Sequence, residues 1–377
     1  MSTQRITKRV TLRQVADLAG VSVSAASTVL SGLTNTISVP PPTQEKIKSA
    51  ARTLGYRRRR NLEDNLGDAS RQRAVPGKTL HIGVIAAYEP IYRRPESDPN
   101  PWHHDIGTAF EAEFIKSGSA RITFFNRFRT NGLPINVADA AAAVRKFGVE
   151  VLVLIDLGQA QHIERYVLDL EAAGLPYVIV CACPLMVPAP HVCYDNQLAG
   201  FKAAAHLIES GHRSLAVFAP VAADWANNRI RGAIDAARYY GLPDGSVTVF
   251  PEKRRPLHDG PNVAHDPLTR DEAVGCAAAA REAGIEATGI IGVNDEAALA
   301  FMDALAIGEK TPRRFGIIGF DDIPEARYRG LSTLRAPREA MGREAAGMVL
   351  QILDDPNARK QVCLQSDLVR RASTMDC

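Results

Sequence analysis

The chain has 377 residues, too many for one compact core and suited to two or three domains of ordinary size. With 46% hydrophobic and 23% charged residues it reads as a soluble globular protein. No uncharged apolar run reaches the ~18 residues of a membrane span, and six cysteines in so long a chain do not make a disulfide scaffold. The net charge of +3 hides an asymmetry. Residues 1–60 hold 11 Lys/Arg against 2 Asp/Glu, whereas residues 79–377 hold 31 against 37. A small basic head on a mildly acidic body is the footprint of a chain that meets phosphate at one end. The opening "MSTQRITKRV" lacks the apolar core of a secretory signal, so reduced cysteines and a cytoplasmic place are expected.

In the head, Thr11 and Gln14 have the spacing of a capping box. Leu12, Val15, Ala16, Leu18 and Ala19 then form an apolar stripe that ends at Gly20. Ser22 can cap a second helix, Val23 to Ser31, with Ala26, Val29 and Leu30 inward. Two short helices on a Gly turn describe a helix-turn-helix, and a third helix is expected over 43–54. Residues 57–78, "RRRRNLEDNLGDASRQRAVPGK", are polar and close on Pro-Gly, as a linker does. Arg57, Arg58, Arg59 and Arg60 suit phosphate neutralisation or a narrow minor groove.

From residue 80 short apolar runs ("LHIGVIAA", "ARITFFN", "VEVLVLID", "YVIVCA", "SLAVFAP", "VTVF", "TGIIGV", "FGIIGF") alternate with Ala-rich helical stretches. That alternation means parallel sheets with helices on both faces, and eight strands over nearly 300 residues suggest two lobes with a cleft between them. Cys181, Cys183, His191 and Cys193 do not have the spacing of a zinc site. Adjacent His103 and His104 beside Asp105 point apart on a helix, so no metal is expected. No G-x-S-x-G elbow, P-loop or G-x-G-x-x-G occurs; neither an enzyme nor a cofactor is expected.

"TLRQVADLAGVSVSAASTVLSG" and "TQEKIKSAARTLGY" resemble the N-terminus of the lactose-repressor (LacI/GalR) family of transcription regulators. The body follows that family's order through "DNQLAGFKAAAHLIESGHRSLAVF", "RIRGAIDA", "IIGVNDEAALAFMDAL", "FGIIGFDDIPEARY", "LSTLRAPREAMGREAA" and "LVRRAST". The resemblance implies an α/β fold: a helix-turn-helix head (1–56), the Arg-rich linker or hinge (57–78), and a two-lobed periplasmic-binding-protein-like body of doubly wound parallel sheets (79–377). Lobe crossings are expected near 190, 333 and 355, making a first lobe of 79–190 and 334–354 and a second of 191–333 and 355–377.

The implied function is a DNA-binding repressor, a nucleoid-associated homodimer on a palindromic operator of double-stranded DNA, controlled by a small-molecule effector between the lobes. A sugar or sugar derivative is favoured; a nucleoside- or purine-responsive regulator, or a solute-binding protein, is the alternative. Carried over by position, Ser22, Val23, Ser24, Ala25, Ser27 and Thr28, with Thr11 and the four arginines, would meet DNA. Thr28 stands where the family usually has Arg. Ser24, Ala25 and Thr28 offer only short contacts and thymine-methyl packing, so an A·T-leaning half-site is expected. The linker lacks the proline that begins the family's hinge helix, and Leu62 and Leu66 both stay open as its intercalating leucine. Arg229, Asn294 and Asp321 match effector contacts of the second lobe, Trp102 and His103 those of the first, and Trp225 borders the same cleft. No heptad tail follows the last strand pattern, which favours a dimer over a tetramer.

Overall fold

The computed structural model describes residues 12–31, 39–54, 79–86, 102–115, 120–126, 144–145, 147–155, 160–256, 270–282, 286–306 and 315–374. The chain divides into two compact units, residues 1–65 and 66–377.

The first unit contains helices α1 (Leu12–Ala19), α2 (Val23–Ser31) and α3 (Pro41–Leu54). Gly20 takes φ +66°, and the chain turns with Val21 N–H donating to the Ala16 carbonyl at 3.0 Å. The Ser22 hydroxyl then accepts from Ala25 N–H at 3.2 Å, capping α2. Val15, Ala16, Ala26 and Ile47 are fully buried, and Val29 and Leu30 pack against them. Leu18 departs from the expected stripe: it is 55% exposed, because it lies about 200° around the helix from Ala16. The third helix starts at Pro41, not 43, since the first turn tolerates residues that lack an N–H.

The second unit holds two six-stranded sheets. The first runs β13 (Gln361–Leu364), β5 (His191–Tyr194), β4 (Tyr177–Val180), β3 (Val151–Ile155), β1 (Leu80–Ala86), β2 (Ala120–Asn126), all parallel. Its inner strands β1, β3 and β4 are largely apolar because both of their faces are covered, whereas the outer strands β2 and β13 carry exposed residues such as Arg121 and Gln361. Val151, Val153 and Ile155 face α4 (Trp102–Ile115) and α11 (Arg338–Asp354); Leu152 and Leu154 face α5 (Ala160–Ala173). The second sheet runs β14 (Asp367–Val369), β12 (Ser332–Arg335), β11 (Gly316–Phe320), β10 (Gly289–Gly292), β6 (Leu215–Phe218), β8 (Val247–Phe250), with β14 antiparallel. Around it lie α6 (Asn196–Glu209), α7 (Asp224–Tyr239), α8 (Arg270–Glu282), α9 (Asp295–Ala306) and α10 (Pro324–Tyr328), and a short pair β7 (Val221–Ala222) and β9 (Arg255–Pro256) stands apart.

Two lobe boundaries differ from expectation. The stretch after "YVIVCACP" does not cross: the chain returns as β5, paired between β4 and β13 in the first sheet. The chain passes from one sheet to the other after Tyr194, Arg335 and Leu364, so β5 and β13 fall in the first lobe rather than the second. "HVCY" and "QVCL" are four-residue strands with little pattern of their own, and only the neighbouring strand defines their sheet.

Helices α6 and α7 touch backbone to backbone. A Cβ on Gly200 would stand 2.0 Å from the Arg229 carbonyl oxygen, and one on Gly232 would stand 1.9 Å from that of Gln197. Two glycines thus set the separation of the two helices. Because the obstructing atoms are backbone, Gly200→Ala is expected to cost at least ~1–3 kcal/mol. A thermal melt that matched wild type would show that the helices can separate freely.

Candidate functional site

Parallel strands release their chains at one edge, and that edge is where helix N-termini and loop side chains converge. The strand ends of the two sheets meet there. From the first lobe come Tyr194 at the end of β5 and Trp102 at the start of α4. From the second come Trp225 and Arg229 in the first turns of α7, Val293 and Asn294 after β10, and Phe320 and Asp321 at the end of β11.

Arg229 is the centre of this group and is only 3% exposed. Its Nε donates to Asn196 Oδ1 at 2.8 Å and its Nη1 to the Val293 carbonyl at 2.7 Å. Its Nη2 donates to the Tyr194 hydroxyl and, at 3.3 Å, to Asp321 Oδ1. Four of the five N–H donors are therefore taken by the protein. The guanidinium also lies over aromatic faces, 4.5 Å from the Phe320 centroid, 4.9 Å from Trp225 and 5.7 Å from Tyr194. Burial pulls its pKa below the usual value, and the Asp321 carboxylate pulls it back.

The loops beneath Arg229 are held by buried carboxylates. Asn294 Oδ1 accepts from Ala297 N–H at 2.8 Å and caps α9. Asp295 is fully buried; its oxygens accept from Thr333 Oγ1 at 2.7 Å and Ile323 N–H at 2.9 Å. Burial, with Asp321 nearby, pushes its carboxyl well above the ordinary range despite those hydrogen bonds. Asp321 and Asp322 have φ of 105° and 55°, values that non-glycine residues rarely adopt. Asp322 is fastened there by Arg335 at 2.7 Å and by Arg371. Burial opposes its ionisation, but those two guanidiniums outweigh it and hold the carboxyl below its usual range.

Further polar contacts among the described residues join the lobes beside Arg229 and Tyr194, among them Asn196 Nδ2 donating to the Ala182 carbonyl at 2.7 Å. Asp224 Oδ2 accepts from Ala160 N–H at 3.0 Å, a carboxylate of one lobe on the first turn of a helix of the other. Arg338 donates to Asp105 at 2.8 Å in the first lobe and to the Asp321 carbonyl in the second, with its guanidinium 5.7 Å from the Trp102 centroid. Asn228 Nδ2 approaches Cys183 Sγ at 3.7 Å. Burial, with Asp224 beside it, pushes the Cys183 thiol up to about 12.

The sequence-predicted cleft residues fall as follows. Trp102 packs on Tyr194 at 5.3 Å and is 8% exposed, so it forms floor more than open wall. Trp225 and Asp321 touch Arg229 directly; Asn294 follows the carbonyl that Arg229 holds; half-buried His103 follows Trp102. Sequence reasoning missed Tyr194, Asn196, Asp224, Asp295 and Arg338. Asn196 was legible only as part of "DN" before a helix, and no pattern marks the other four. Of the expected zinc-free cluster, His191 is a buried structural residue between the Ala189 carbonyl and the Leu185 N–H.

In the head, Ser22 caps α2, Val23 is 41% exposed and Ala25 is half-buried. Thr11, Arg57, Arg58, Arg59 and Arg60, Leu62 and Leu66, and the side chains of Ser24, Ser27 and Thr28, lie outside the described residues.

The sequence patterns of known families divide the chain in the same way. Residues 11–59 match bacterial regulatory proteins of the lacI family, and residues 204–374 match the periplasmic binding protein-like domain. The chain thus carries a LacI-family DNA-binding domain together with a periplasmic binding protein-like domain. It is 24% identical to the HTH-type transcriptional regulator GntR of Pseudomonas aeruginosa over 98% of its length and 97% of that protein's. It is 28% identical to the arabinose metabolism transcriptional repressor of Geobacillus stearothermophilus over 56% of its length, an alignment that spans 57% of that relative. In fold it is similar to a transcriptional regulator CelR–cellobiose complex, with a TM-score of 0.60, 21% identity, and coverage of 97% of this chain and 100% of that one. It is likewise similar to the lac repressor dimer bound to operator and the anti-inducer ONPF, with a TM-score of 0.60, 20% identity, and coverage of 97% and 99%. The family is one of transcriptional regulators, not of enzymes. Among the described residues no three His, Cys, Asp or Glu side chains group as metal ligands, and no helix is long and apolar enough to cross a membrane.

The raised Asp295 carboxyl makes a pH prediction. An Asp titrates near 3.9 in the unfolded chain. Stability linked to Asp295 is fully present below that value and drains away as pH rises toward the higher folded value. Asp295→Asn removes this loss, so the variant's melting temperature should gain on wild type between pH 4.5 and 7.5, whatever its constant offset. Parallel curves would mean that Asp295 titrates alike in both states.

Proposed function

We propose that this chain represses transcription as a homodimer on operator DNA and responds to an uncharged, hydroxyl-rich ligand of the sugar class in the cleft around Arg229. The observation that carries the DNA half is the capped helix-turn-helix in the same chain as a periplasmic-binding-protein-like body. For the ligand half it is the state of Arg229. An anionic ligand would need a free guanidinium fork, yet four donors are spent on Asn196, Val293, Tyr194 and Asp321, and Asp321 offsets the charge. One N–H, the half-buried Asn294 carboxamide and the half-buried Trp225 indole suit a neutral polyol.

Relatives support the same class. One is an arabinose metabolism repressor, and structures of similar fold carry cellobiose and ribose. A regulator of this kind works in the cytoplasm on the nucleoid. Trp102, His103, Trp225, Arg229, Asn294 and Asp321 would contact the ligand. Ser22, Val23, Ser24, Ala25, Ser27 and Thr28 would face the groove, with Thr11 and the four linker arginines on phosphate. Ligand that prefers one lobe arrangement shifts the dimer's affinity for operator, and nearly complete inversion takes a preference of about 5.5 kcal/mol.

Two experiments test the halves separately. Neutral sugars, sugar phosphates and nucleosides are titrated against the full chain while its melting temperature is followed. A neutral sugar is expected to raise it, and Arg229→Ala to abolish the rise. Stabilisation by sugar phosphates or nucleosides alone would overturn the ligand class. For DNA, operator duplex selected from a random pool is bound at increasing salt. Replacing Arg57, Arg58, Arg59 and Arg60 with Ala is expected to reduce affinity and flatten the salt slope by roughly one unit per lost phosphate contact. An unchanged slope would remove the arginines from the interface.

A further inference from the structure

Three cysteines lie in a row across three adjacent strands of the first lobe. Cys193 on β5 is in register with Cys363 on β13, and on its other side the Cys181 N–H donates to Val192 at the end of β4. Registered residues of parallel strands stand ~4.8 Å apart and point to the same face. That separation lies inside the Cα range of roughly 4.4–6.8 Å that a disulfide spans. The three thiols differ in setting. Cys181 Sγ is occupied by the Cys183 carbonyl at 3.1 Å, Cys193 is 1% exposed, and Cys363 is exposed on the edge strand.

We propose that Cys363 and Cys193 are a peroxide-sensitive thiol pair that closes to a disulfide across β5 and β13. The Cys363 thiolate attacks a peroxide oxygen; the O–O bond breaks, water leaves once the departing hydroxide is protonated, and Cys363 becomes a sulfenic acid. The Cys193 sulfur then displaces the sulfenic hydroxyl, which leaves as a second water with the Cys193 proton. Two thiols and one hydrogen peroxide thus become one disulfide and two waters. The settings of the two thiols fit these roles. The hydrogen bond that the Cys193 thiol donates favours the thiolate at exposed Cys363, and the same bond together with burial keeps the proton on Cys193. The pair needs about 1 Å of closer approach at Cβ, from the ~4.8 Å of neighbouring strands to the ~3.8 Å typical of a disulfide. Strand β13, at the edge of the sheet among the described residues, can supply it, and the slight strain makes the bond easy to reduce again.

Place in the fold gives the reaction a consequence. The chain crosses to the second lobe directly after Tyr194 and directly after Leu364, so the disulfide ties together the feet of two of the three crossing strands. Cys193 is also the neighbour of Tyr194, whose hydroxyl meets Arg229 from the opposite face of the sheet. Oxidation therefore stiffens the hinge at the cleft. The effect on a ligand response rests on the reading of that cleft given above; the thiol chemistry does not.

The test uses the full chain, hydrogen peroxide, alkylation of the remaining thiols and peptide mass mapping. A linked pair of peptides carrying Cys193 and Cys363 is expected, reversible by dithiothreitol and absent from Cys363→Ser, a change at an exposed position. Linkage to a different cysteine, or Cys363 overoxidised while Cys193 stays free, overturns the proposal. Hydrogen exchange of residues 195–200 and 365–369 then reads the hinge. Slower exchange in oxidised wild type, and none of that slowing in Cys363→Ser, is expected. Equal exchange with the disulfide formed overturns the hinge consequence while leaving the ligand reading intact.

Discussion

A guanidinium that is 3% exposed needs partners within the protein, because an unpaired buried charge would cost more than any single packing contact returns. Arg229 is satisfied by both lobes at once: Tyr194 ends a strand of the first sheet, while Asn196, Val293 and Asp321 belong to the second. Much of the body can be understood as the means of holding those acceptors in place. Gly200 and Gly232 let α7 lie against α6, Asn294 caps the helix that follows Val293, and Asp322 is pinned by Arg335 and Arg371 so that Asp321 keeps its unusual backbone.

The same arrangement explains why the cleft suits a regulator. Among the described residues the lobes meet at this edge through polar contacts: Asp224 with Ala160, Arg338 between Asp105 and Asp321, Asn196 with Ala182, Asn228 with Cys183, and Tyr194 with Arg229. Polar contacts of this kind can be exchanged for ligand contacts without unpacking either apolar core, so the lobes can move as bodies on three strands. Two of those strands carry Cys193 and Cys363, which places thiol chemistry at the base of the movement.

Much of this was legible in the sequence. Gly20, Ser22 and the apolar pattern of residues 15–30 define the helix-turn-helix because their constraints are local: a left-handed turn, a cap and a helical stripe. The long apolar runs gave their strands for a similar reason, since four to seven consecutive apolar residues bury both faces. Leu18 was misjudged because periodicity does not say which edge of a stripe the neighbouring helices cover. Arg229, Asp321 and Trp225 were singled out by family resemblance, and they do converge in space; what each binds is a separate matter.

The sequence by itself determined the head helices, the strands of the long apolar runs and the family resemblance, because capping, turn chemistry and apolar period act within a few residues. Only the tertiary structure decided that β5 and β13 belong to the first sheet, that Tyr194 and Asn196 complete the shell of Arg229, and that Cys193 stands beside Cys363. These are pairings across 33 to 170 residues of chain, and such contacts are set by how sheets and helices pack rather than by any local preference.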